Sequence, residues 1–363
     1  MLNILQIISY NRKGGAEAFI ENLVNEMVKS DKVKYVHILT FSNELPEVKL
    51  DLITSKKLVH YHYYNSSKNF FLSFIPIFKY ILKLIRINKY NVIHSHLLTP
   101  LYIWPLPILF RNLFFAHTIH SQAEKELGAK KLSIHFLIRK LYYKLSNIIC
   151  ISESVHLSVQ KLYNLDAKII YNGTLFKRSS SVKVDKIICS GMKKFLAVGH
   201  TRKVKNFKLL IDAFHKYSDE AMLIILGKLI DDFKGINLKE YQNKNIFFLG
   251  EVTNVQDYMK KADFLCMTSH YEGMPITILE AKANRLLPIV TPAPGITDLI
   301  KHGLNGIVSD DFRVESYERV LGEALEISKQ EKNRMINEGY NEFVNNYTIA
   351  VCANNHIDSY NAN

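Results

Sequence analysis

The chain has 363 residues, long enough for two domains and for a sizeable buried core. Hydrophobic residues make up 48% and charged residues 22%, ordinary globular usage that excludes a disordered, collagen-like or coiled-coil chain. The net charge of +13 is unevenly placed, because residues 1–172 carry 22 Lys and Arg against 11 Asp and Glu, whereas residues 173–363 carry 25 against 23.

The first half opens on an apolar strand at residues 2–9, a glycine turn at Gly14 and Gly15, and a helix with apolar positions at Ala16, Phe19, Leu23 and Met27. That is the start of a βαβ unit. Strands follow at residues 35–41, 92–95, 113–119 and 148–151, separated by segments of helix length. Residues 52–123 contain no Asp or Glu and eight Lys and Arg, so this stretch is expected to face something negative. Within it, residues 70–87 (FFLSFIPIFKYILKLIRI) set Lys79, Lys83 and Arg86 at helical spacing against Ile75, Phe78, Ile81, Leu82 and Ile85. Residues 130–144 (KKLSIHFLIRKLYYK) have the same character. Both read as basic amphipathic helices, packed on a core with extended lysines or lying on a membrane surface. The least charged window, residues 90–110, holds prolines at 100, 105 and 107 and is not read as a membrane span.

Residues 172–186 (NGTLFKRSSSVKVDK) break the pattern as a linker would, and the alternation then restarts. Strands are expected at residues 195–199, 222–227, 245–249, 263–267 and 288–291. Helices are expected at 205–217, 255–261 and 275–283, and from about residue 314 to the end. Two doubly wound parallel sheets follow, and such sheets bind ligands at the carboxyl ends of their strands. The four cysteines, at 150, 189, 266 and 352, are too scattered for a zinc knuckle or a redox pair and read as reduced core thiols. The amino terminus lacks the pattern of a signal peptide, so the expected location is the cytoplasm.

The strongest local cluster is Ser269-His-Tyr-Glu-Gly-Met-Pro-Ile-Thr-Ile-Leu-Glu280. A strand ends, a loop holds Glu272 and Gly273, Pro275 suits the first turn of a helix, and Glu280 lies near that helix's middle. The free N–H groups of a helix start suit a diphosphate or a sugar hydroxyl, and two glutamates seven residues apart can grip two parts of one extended ligand. By spacing alone they read equally as a loop acid and a solvated helix residue.

This pattern, with Glu280-Ala-Lys-Ala and Pro288-Ile-Val-Thr after it, resembles the signature of the family 4 retaining glycosyltransferases. Gly14-Gly15-Ala16-Glu17 resembles the family's first glycine loop, His94-Ser-His96 and Thr118-Ile-His120 its strand ends, and Ile151-Ser-Glu153 and Tyr171-Asn-Gly173 its later landmarks. Lys205-Asn206 resembles its phosphate lysine, Leu249-Gly250 the turn before the donor motif, and Gly303-Leu-Asn-Gly306 completes the series. The resemblance implies a GT-B fold of the α/β class, two Rossmann-like doubly wound domains facing a cleft. Residues 1–172 would bind the acceptor, 173–186 link, 187–345 bind the nucleotide sugar, and 346–363 form a helix returning toward the amino-terminal domain.

The resemblance also implies roles. Glu280 would take the ribose hydroxyls, Glu272 the donor sugar, and the backbone of Gly273, Met274, Pro275 and Ile276, with the N–H groups it offers, would lie near the donor. Lys205, helped by Arg202, would neutralise the diphosphate. Gly15 would approach the donor phosphate or the acceptor, and His120 would touch the donor sugar, although one histidine among 14 is ordinarily structural. The expected reaction is retaining transfer from a nucleoside-diphosphate sugar, with UDP as the expected nucleotide and neither metal nor cofactor. A glycan or lipid-diphosphate-linked acceptor in bacterial surface polysaccharide synthesis, and peripheral docking on an anionic membrane, fit the basic first half. Three departures stand out: His200 where the family has arginine, Arg285 where it has glycine, and Pro294 in place of one glycine of a pair. A nucleotide-sugar epimerase or small-glycoside synthase, and a silent GT-B partner protein, are the alternatives. No nucleic-acid-binding signature is present.

Overall fold

Leu2–Ser9 (β1) shows why the sheets are parallel: Ile4, Leu5 and Ile7 are wholly inaccessible, as in a strand covered by helices on both faces. The computed structural model describes residues 1–9, 15–42, 57–64, 70–127, 133–175, 191–242 and 244–361. Gly14, Cys189 and residues 176–186 of the expected linker lie outside them. Packing divides the chain into two units, Met1–Thr174 with Ile349–Asn363, and Leu175–Thr348.

In the first unit, β1 is followed by α1 (Gly15–Met27), β2 (Val33–Ser42), β3 (Leu58–Tyr64), α2 (Phe70–Ile87), β4 (Val92–His96), α3 (Pro100–Ile103), α4 (Leu106–Leu109), β5 (Phe114–Ile119), α5 (Ala123–Leu127), α6 (Ile134–Lys144), β6 (Asn147–Cys150), α7 (Glu153–Tyr163) and β7 (Lys168–Ile169). The strands form one parallel sheet in the order β3-β2-β1-β4-β5-β6-β7. The order reverses between β1 and β4, so right-handed crossovers place α1 on one face and the helices that follow β3 on the other. Ser152 caps α7 through the N–H of Val155, which gives the Ile151-Ser-Glu153 motif a structural role. On α2 the buried face is Ser73, Ile77, Ile81 and Leu84; Ile75 lies outward with Leu72, Lys79, Lys83 and Arg86.

The second unit runs β8 (Lys193–Val198), α8 (Phe207–Phe214), β9 (Ala221–Leu226), α9 (Leu238–Gln242), β10 (Ile246–Gly250), α10 (Val255–Lys261), β11 (Phe264–Met267), α11 (Ile276–Ala283), β12 (Leu287–Val290), β13 (Ile307–Val308), α12 (Val314–Glu326) and α13 (Lys329–Asn346). Its parallel sheet has the order β10-β9-β8-β11-β12-β13, reversing between β8 and β11. Its core gathers Phe195, Phe214, Leu223, Phe264, Ile289 and Tyr317. Lys282 ties α11 to α13: its buried ammonium donates to the carbonyl of Leu299 at 2.8 Å and to the Glu342 carboxylate, which also accepts from Asn305 at 2.7 Å. Burial pulls the Lys282 pKa down, and Glu342 opposes that shift.

The last helix, α14 (Ile349–Asn361), belongs to the first unit, where it packs against α1. Its inner face brings Cys352, His356 and Tyr360 onto the sheet beside Gln6, His94, His96 and Thr118, all buried. On the opposite face of the sheet, His117 is buried against Tyr142 and Tyr143. Burial, reinforced by neighbouring imidazoles, holds His94 and His96 neutral far below 6.5; burial and then Arg139 do the same for His117. Burial brings His120 to about 4 and, with His120 nearby, His356 to about 3.

A base whose folded pKa lies below its unfolded value contributes stability above the unfolded pKa and loses it as pH falls. The first unit should therefore weaken from pH 6.5 downward, each such histidine steepening the loss by up to about 1.4 kcal/mol per pH unit. Denaturant unfolding between pH 8 and pH 4 measures this. His356→Gln should flatten the slope, and a parent whose stability is level from pH 7 to 5 contradicts the expectation.

Candidate functional site

In the second unit the strands that flank the reversal, β8 and β11, end on the two loops that carry the sequence-predicted residues. After β8 the chain turns at Gly199 (φ 146°), where Gly227 lies so close that a Cβ on Gly227 would stand 2.1 Å from the Gly199 carbonyl. A short 3-10 turn, Lys203–Lys205, then leads through Asn206 in the left-handed region into α8. The helix expected from residue 205 thus starts at Phe207, and Lys205 sits in the loop. After β11, Thr268 bridges to that loop by donating its hydroxyl to the carbonyls of Lys205 (3.1 Å) and Asn206 (3.0 Å), and the N–H of His270 donates to Val204 (2.8 Å).

These ties bring Lys205 and Glu272 together. Lys205 Nζ donates to Glu272 Oε1 at 2.7 Å, with side chains 25% and 16% exposed, so the pair is largely sheltered yet open to a ligand. Ser269 Oγ, on the loop that carries Glu272, is buried and has no hydrogen-bond partner among the described residues. The glutamate loop rests on the backbone of Gly295: the Glu272 N–H donates to the carbonyl of Pro294 at 3.0 Å, and Gly295 has φ 81°. A Cβ on Gly295 would lie 2.4 Å from the Glu272 carbonyl oxygen and 2.8 Å from that of Gly273. Pro294 therefore supplies the acceptor while Gly295 alone provides the close approach.

Pro275 occupies the N-cap of α11, one position before the helical turn expected of it, with Ile276 the first helical residue and Met274 buried. Glu280 lies half-buried one to two turns into α11, where Gln256 Nε2 donates to its Oε1 at 3.3 Å; Gln256 in turn accepts from Asn284 at 2.8 Å. Arg285 takes the left-handed conformation (φ 58°) that glycine usually supplies at a helix end, and its side chain is held on α13 by Asn337 and by stacking over Tyr340. His200 Nδ1 accepts from the Lys228 N–H, and its Nε2 faces Glu251 at 3.7 Å. Arg202 is exposed at the start of the 3-10 turn.

In the first unit, Gly15 opens α1, and His120 follows β5, its N–H donating to Glu126 Oε2 at 3.1 Å. Burial raises the Glu126 pKa to about 7. His120 Nε2 meets His96 Nδ1 at 3.0 Å. Gln256, Asn284 and Thr268 were not singled out in the sequence, Ser269 was named only as the start of the glutamate cluster, and Gln6 and His96 were not read as partners of His120. The last two had a signal: the His-x-His spacing puts both imidazoles on one strand face, and Gln6 is the one polar residue within the apolar run 4–8. Among the described residues no group of three or more His, Cys, Asp or Glu is arranged to hold a metal ion.

Two Rossmann-like parallel-sheet domains in one chain are the architecture of the GT-B fold. The crystal structure of Anabaena HepE in complex with UDP and glucose has the same fold, with a TM-score of 0.79 at 14% identity over 100% of both chains. The model of the group 1 glycosyl transferases matches residues 183–342, and that of glycosyltransferase family 4 matches residues 13–174. The chain belongs to the family 4 glycosyltransferases. A capsular polysaccharide biosynthesis glycosyltransferase of Staphylococcus aureus, CapH, is 26% identical over 308 residues, 80% of this chain and 81% of that protein. The UDP-Gal:alpha-D-GlcNAc-diphosphoundecaprenol alpha-1,3-galactosyltransferase of Escherichia coli is 24% identical over 293 residues, 71% of this chain and 74% of that protein.

The dependence of the glutamate loop on Gly295 is testable. Gly295→Ala should cost more than about 1 kcal/mol of stability in the second unit and release the Lys205–Glu272 pair, because alanine is strained at positive φ and clashes there. Thermal unfolding together with glycosyltransfer or donor-hydrolysis rates measures both. Parent-like melting and turnover would show that the loop yields freely.

Proposed function

We propose that the protein is a retaining, metal-independent glycosyltransferase that uses a nucleoside-diphosphate sugar, UDP being the expected nucleotide and a hexosyl or N-acetylhexosaminyl group the sugar. The observation that carries the reading is the Lys205–Glu272 pair at the strand-order reversal, with Glu280 on the helix that follows. An arriving diphosphate competes with Glu272 for the Lys205 ammonium, so the carboxylate is released to accept from sugar hydroxyls as the ammonium takes the phosphate. Charge on the leaving diphosphate grows as the glycosidic bond breaks, and a sheltered cation stabilises that charge more than it stabilises the ground state. Arg202 and the N–H groups at the start of α11 add to this, Glu280 receives the ribose hydroxyls, and His120 is assigned to the donor sugar. Anabaena HepE, of the same fold, is a complex with UDP and glucose, which supports a nucleotide-sugar donor.

Glu280→Ala should weaken donor binding by about 1.5–3 kcal/mol through loss of charge-assisted hydrogen bonds, with little change in melting temperature. Titration with a panel of UDP-sugars measures it, and parent-like affinity removes Glu280 from the ribose. Turnover in EDTA should match turnover without it, and loss restored by magnesium or manganese defeats the metal-independent mechanism.

The acceptor proposed is a glycan or lipid-diphosphate-linked sugar in bacterial surface polysaccharide synthesis, met by an enzyme held peripherally on the anionic cytoplasmic face of the membrane. The capsule assignment of the S. aureus relative and the diphosphoundecaprenol acceptor in the name of the E. coli relative support it. So does the surface of the first unit. Leu72 and Ile75 on α2 are exposed on the face that carries Lys79, Lys83 and Arg86, and α6 exposes Ile134, Leu137 and Leu141, with Leu145 continuing the stripe beside Lys144. Short α3 touches both helices, so the two stripes share one side of the unit. No helix among the described residues is long and apolar enough to cross a membrane. Each cation near an anionic leaflet is worth about 1 kcal/mol, and exposed leucines add burial in the acyl boundary.

Cosedimentation with anionic liposomes at low salt should therefore be strong, and weak on neutral liposomes or at high salt. Joint replacement of Lys79, Lys83 and Arg86 by glutamate should abolish it with donor binding intact. Equal sedimentation on both lipids, or none on anionic ones, moves the positive surface to acceptor binding or solubility.

A further inference from the structure

An unbroken line of hydrogen bonds runs through the first unit from the last helix to His120. Tyr360 Oη lies 2.6 Å from His94 Nδ1, and Gln6 Nε2 points at the same hydroxyl from 3.5 Å. On its other side, Gln6 Oε1 meets His96 Nε2 at 2.8 Å, and His96 Nδ1 meets His120 Nε2 at 3.0 Å. His94 Nε2 closes the other branch on Thr118 Oγ1 at 2.8 Å. Gln6, His94, His96 and Thr118 have no accessible surface at all, so water does not substitute for any of these partners.

Such a line has a direction. A neutral imidazole has one N–H and one lone pair, so a ring that donates through one nitrogen must accept through the other. His94 and His96 are held neutral by burial and by neighbouring imidazoles. An amide differs at its two ends, since Oε1 only accepts and Nε2 only donates. The Nε2 of Gln6 also faces Met27 Sδ at 3.9 Å, an acceptor without a proton, and this fixes the amide with Oε1 toward His96. His96 must then carry its proton on Nε2 and accept at Nδ1, and the proton it accepts is that of His120 Nε2. Tyr360 accepts from Gln6 and donates to His94, so both branches run one way. His120 is left with its lone pair on Nδ1. Its ring is half-buried, Phe19 packs edge-on against it at 6.0 Å, and Nδ1 has no partner among the described residues.

We propose that Gln6, His96 and Tyr360 are positioning residues of the transfer reaction: the Gln6 amide, oriented by Tyr360, acts through His96 to keep the proton of His120 on Nε2 and to present Nδ1 as an acceptor for a sugar hydroxyl. The proposal rests on the assignment of His120 to the donor sugar. It adds a specificity: an acceptor-only nitrogen takes a hydroxyl and rejects a carboxylate, so the enzyme should use neutral hexosyl donors and refuse the corresponding uronic acids.

The test reads the tautomer and the rate separately. In protein labelled with 15N-histidine, the His120 signals are identified by their loss in His120→Ala, and the parent should show His120 protonated on Nε2. Gln6→Met, which keeps the volume and removes both ends of the amide, should mix the two tautomers. It should also lower kcat at least tenfold for the donor hydrolysed fastest among UDP-glucose, UDP-galactose and UDP-N-acetylglucosamine, with KM changed less than twofold. Should Gln6→Met fail to fold, Tyr360→Phe deletes one hydroxyl, frees the amide to turn, and should give the same mixing in milder form. UDP-glucuronate should be turned over at least a hundredfold more slowly than UDP-glucose. A parent His120 protonated on Nδ1, or variants with parent-like tautomer and kcat, overturns the relay alone. An unchanged kcat in His120→Ala overturns the assignment of His120 itself and the roles of its supporters with it.

Discussion

A parallel sheet covered on both faces can meet a polar ligand only at its strand ends, and here that constraint governs where charge can be used. Where strand order reverses, neighbouring loops leave in opposite directions and open a gap. In the second unit β8 and β11 flank that gap, and the two loops that leave them deliver Lys205 and Glu272 to within 2.7 Å of each other. The pair does not arise from a helix face or a shared strand. It depends on the sheet, and on Thr268 and His270 tying one loop to the other.

Close backbone approach is the second requirement, and it explains which departures from the family pattern are tolerated. A carbonyl acceptor is available from any residue, so Pro294 in the supporting turn changes nothing that the Glu272 N–H needs. Space and positive φ are not available from any residue, and Gly295 keeps both. Arg285 takes a left-handed helix end at a cost of about 1–2 kcal/mol. Its stacking on Tyr340 and its hydrogen bond to Asn337 offset that cost and also pin α11 against α13. The same two helices share the buried Lys282–Glu342 pair, so the helix bearing Glu280 is held at its far end by two cations bound to α13.

Strands such as Leu2–Ser9 and Ala221–Leu226 were legible because burial on both faces demands a mostly apolar run, broken in the first only by Asn3, Gln6 and the terminal Ser9. Leu58–Tyr64 was not, because an edge strand whose histidines and tyrosines alternate shows no such run, and the two-residue strands β7 and β13 are too short to show any pattern. The acids Glu272 and Glu280 stood out by spacing, yet the partner of each lay beyond local reasoning: Lys205 is 67 positions from Glu272, and Gln256 is 24 from Glu280. The amphipathic helices were placed correctly along the chain, at residues 70–87 in full, with residues 130–132 of the second outside the described part. Their outward faces were read less well. Periodicity groups Ile75 with the core, whereas tertiary packing leaves it among the cations.

The two units solve the burial of polar groups in opposite ways. The second keeps formal charges, partly sheltered and paired, next to the open strand ends. The first carries most of the chain's net positive charge, with Lys79, Lys83 and Arg86 on an outward helix face, while the polar groups beneath α1 and α14 are neutral imidazoles, an amide and hydroxyls, most of them bonded to one another. A buried charge in that layer would cost several kcal/mol without a partner, whereas a directed line of neutral donors and acceptors costs little once every member is satisfied. Proton position then becomes the variable such a layer controls. Because α14 supplies Tyr360 and His356, the layer is complete only when the last helix is seated on α1, and the state of His120 depends on a segment 240 positions away in the chain.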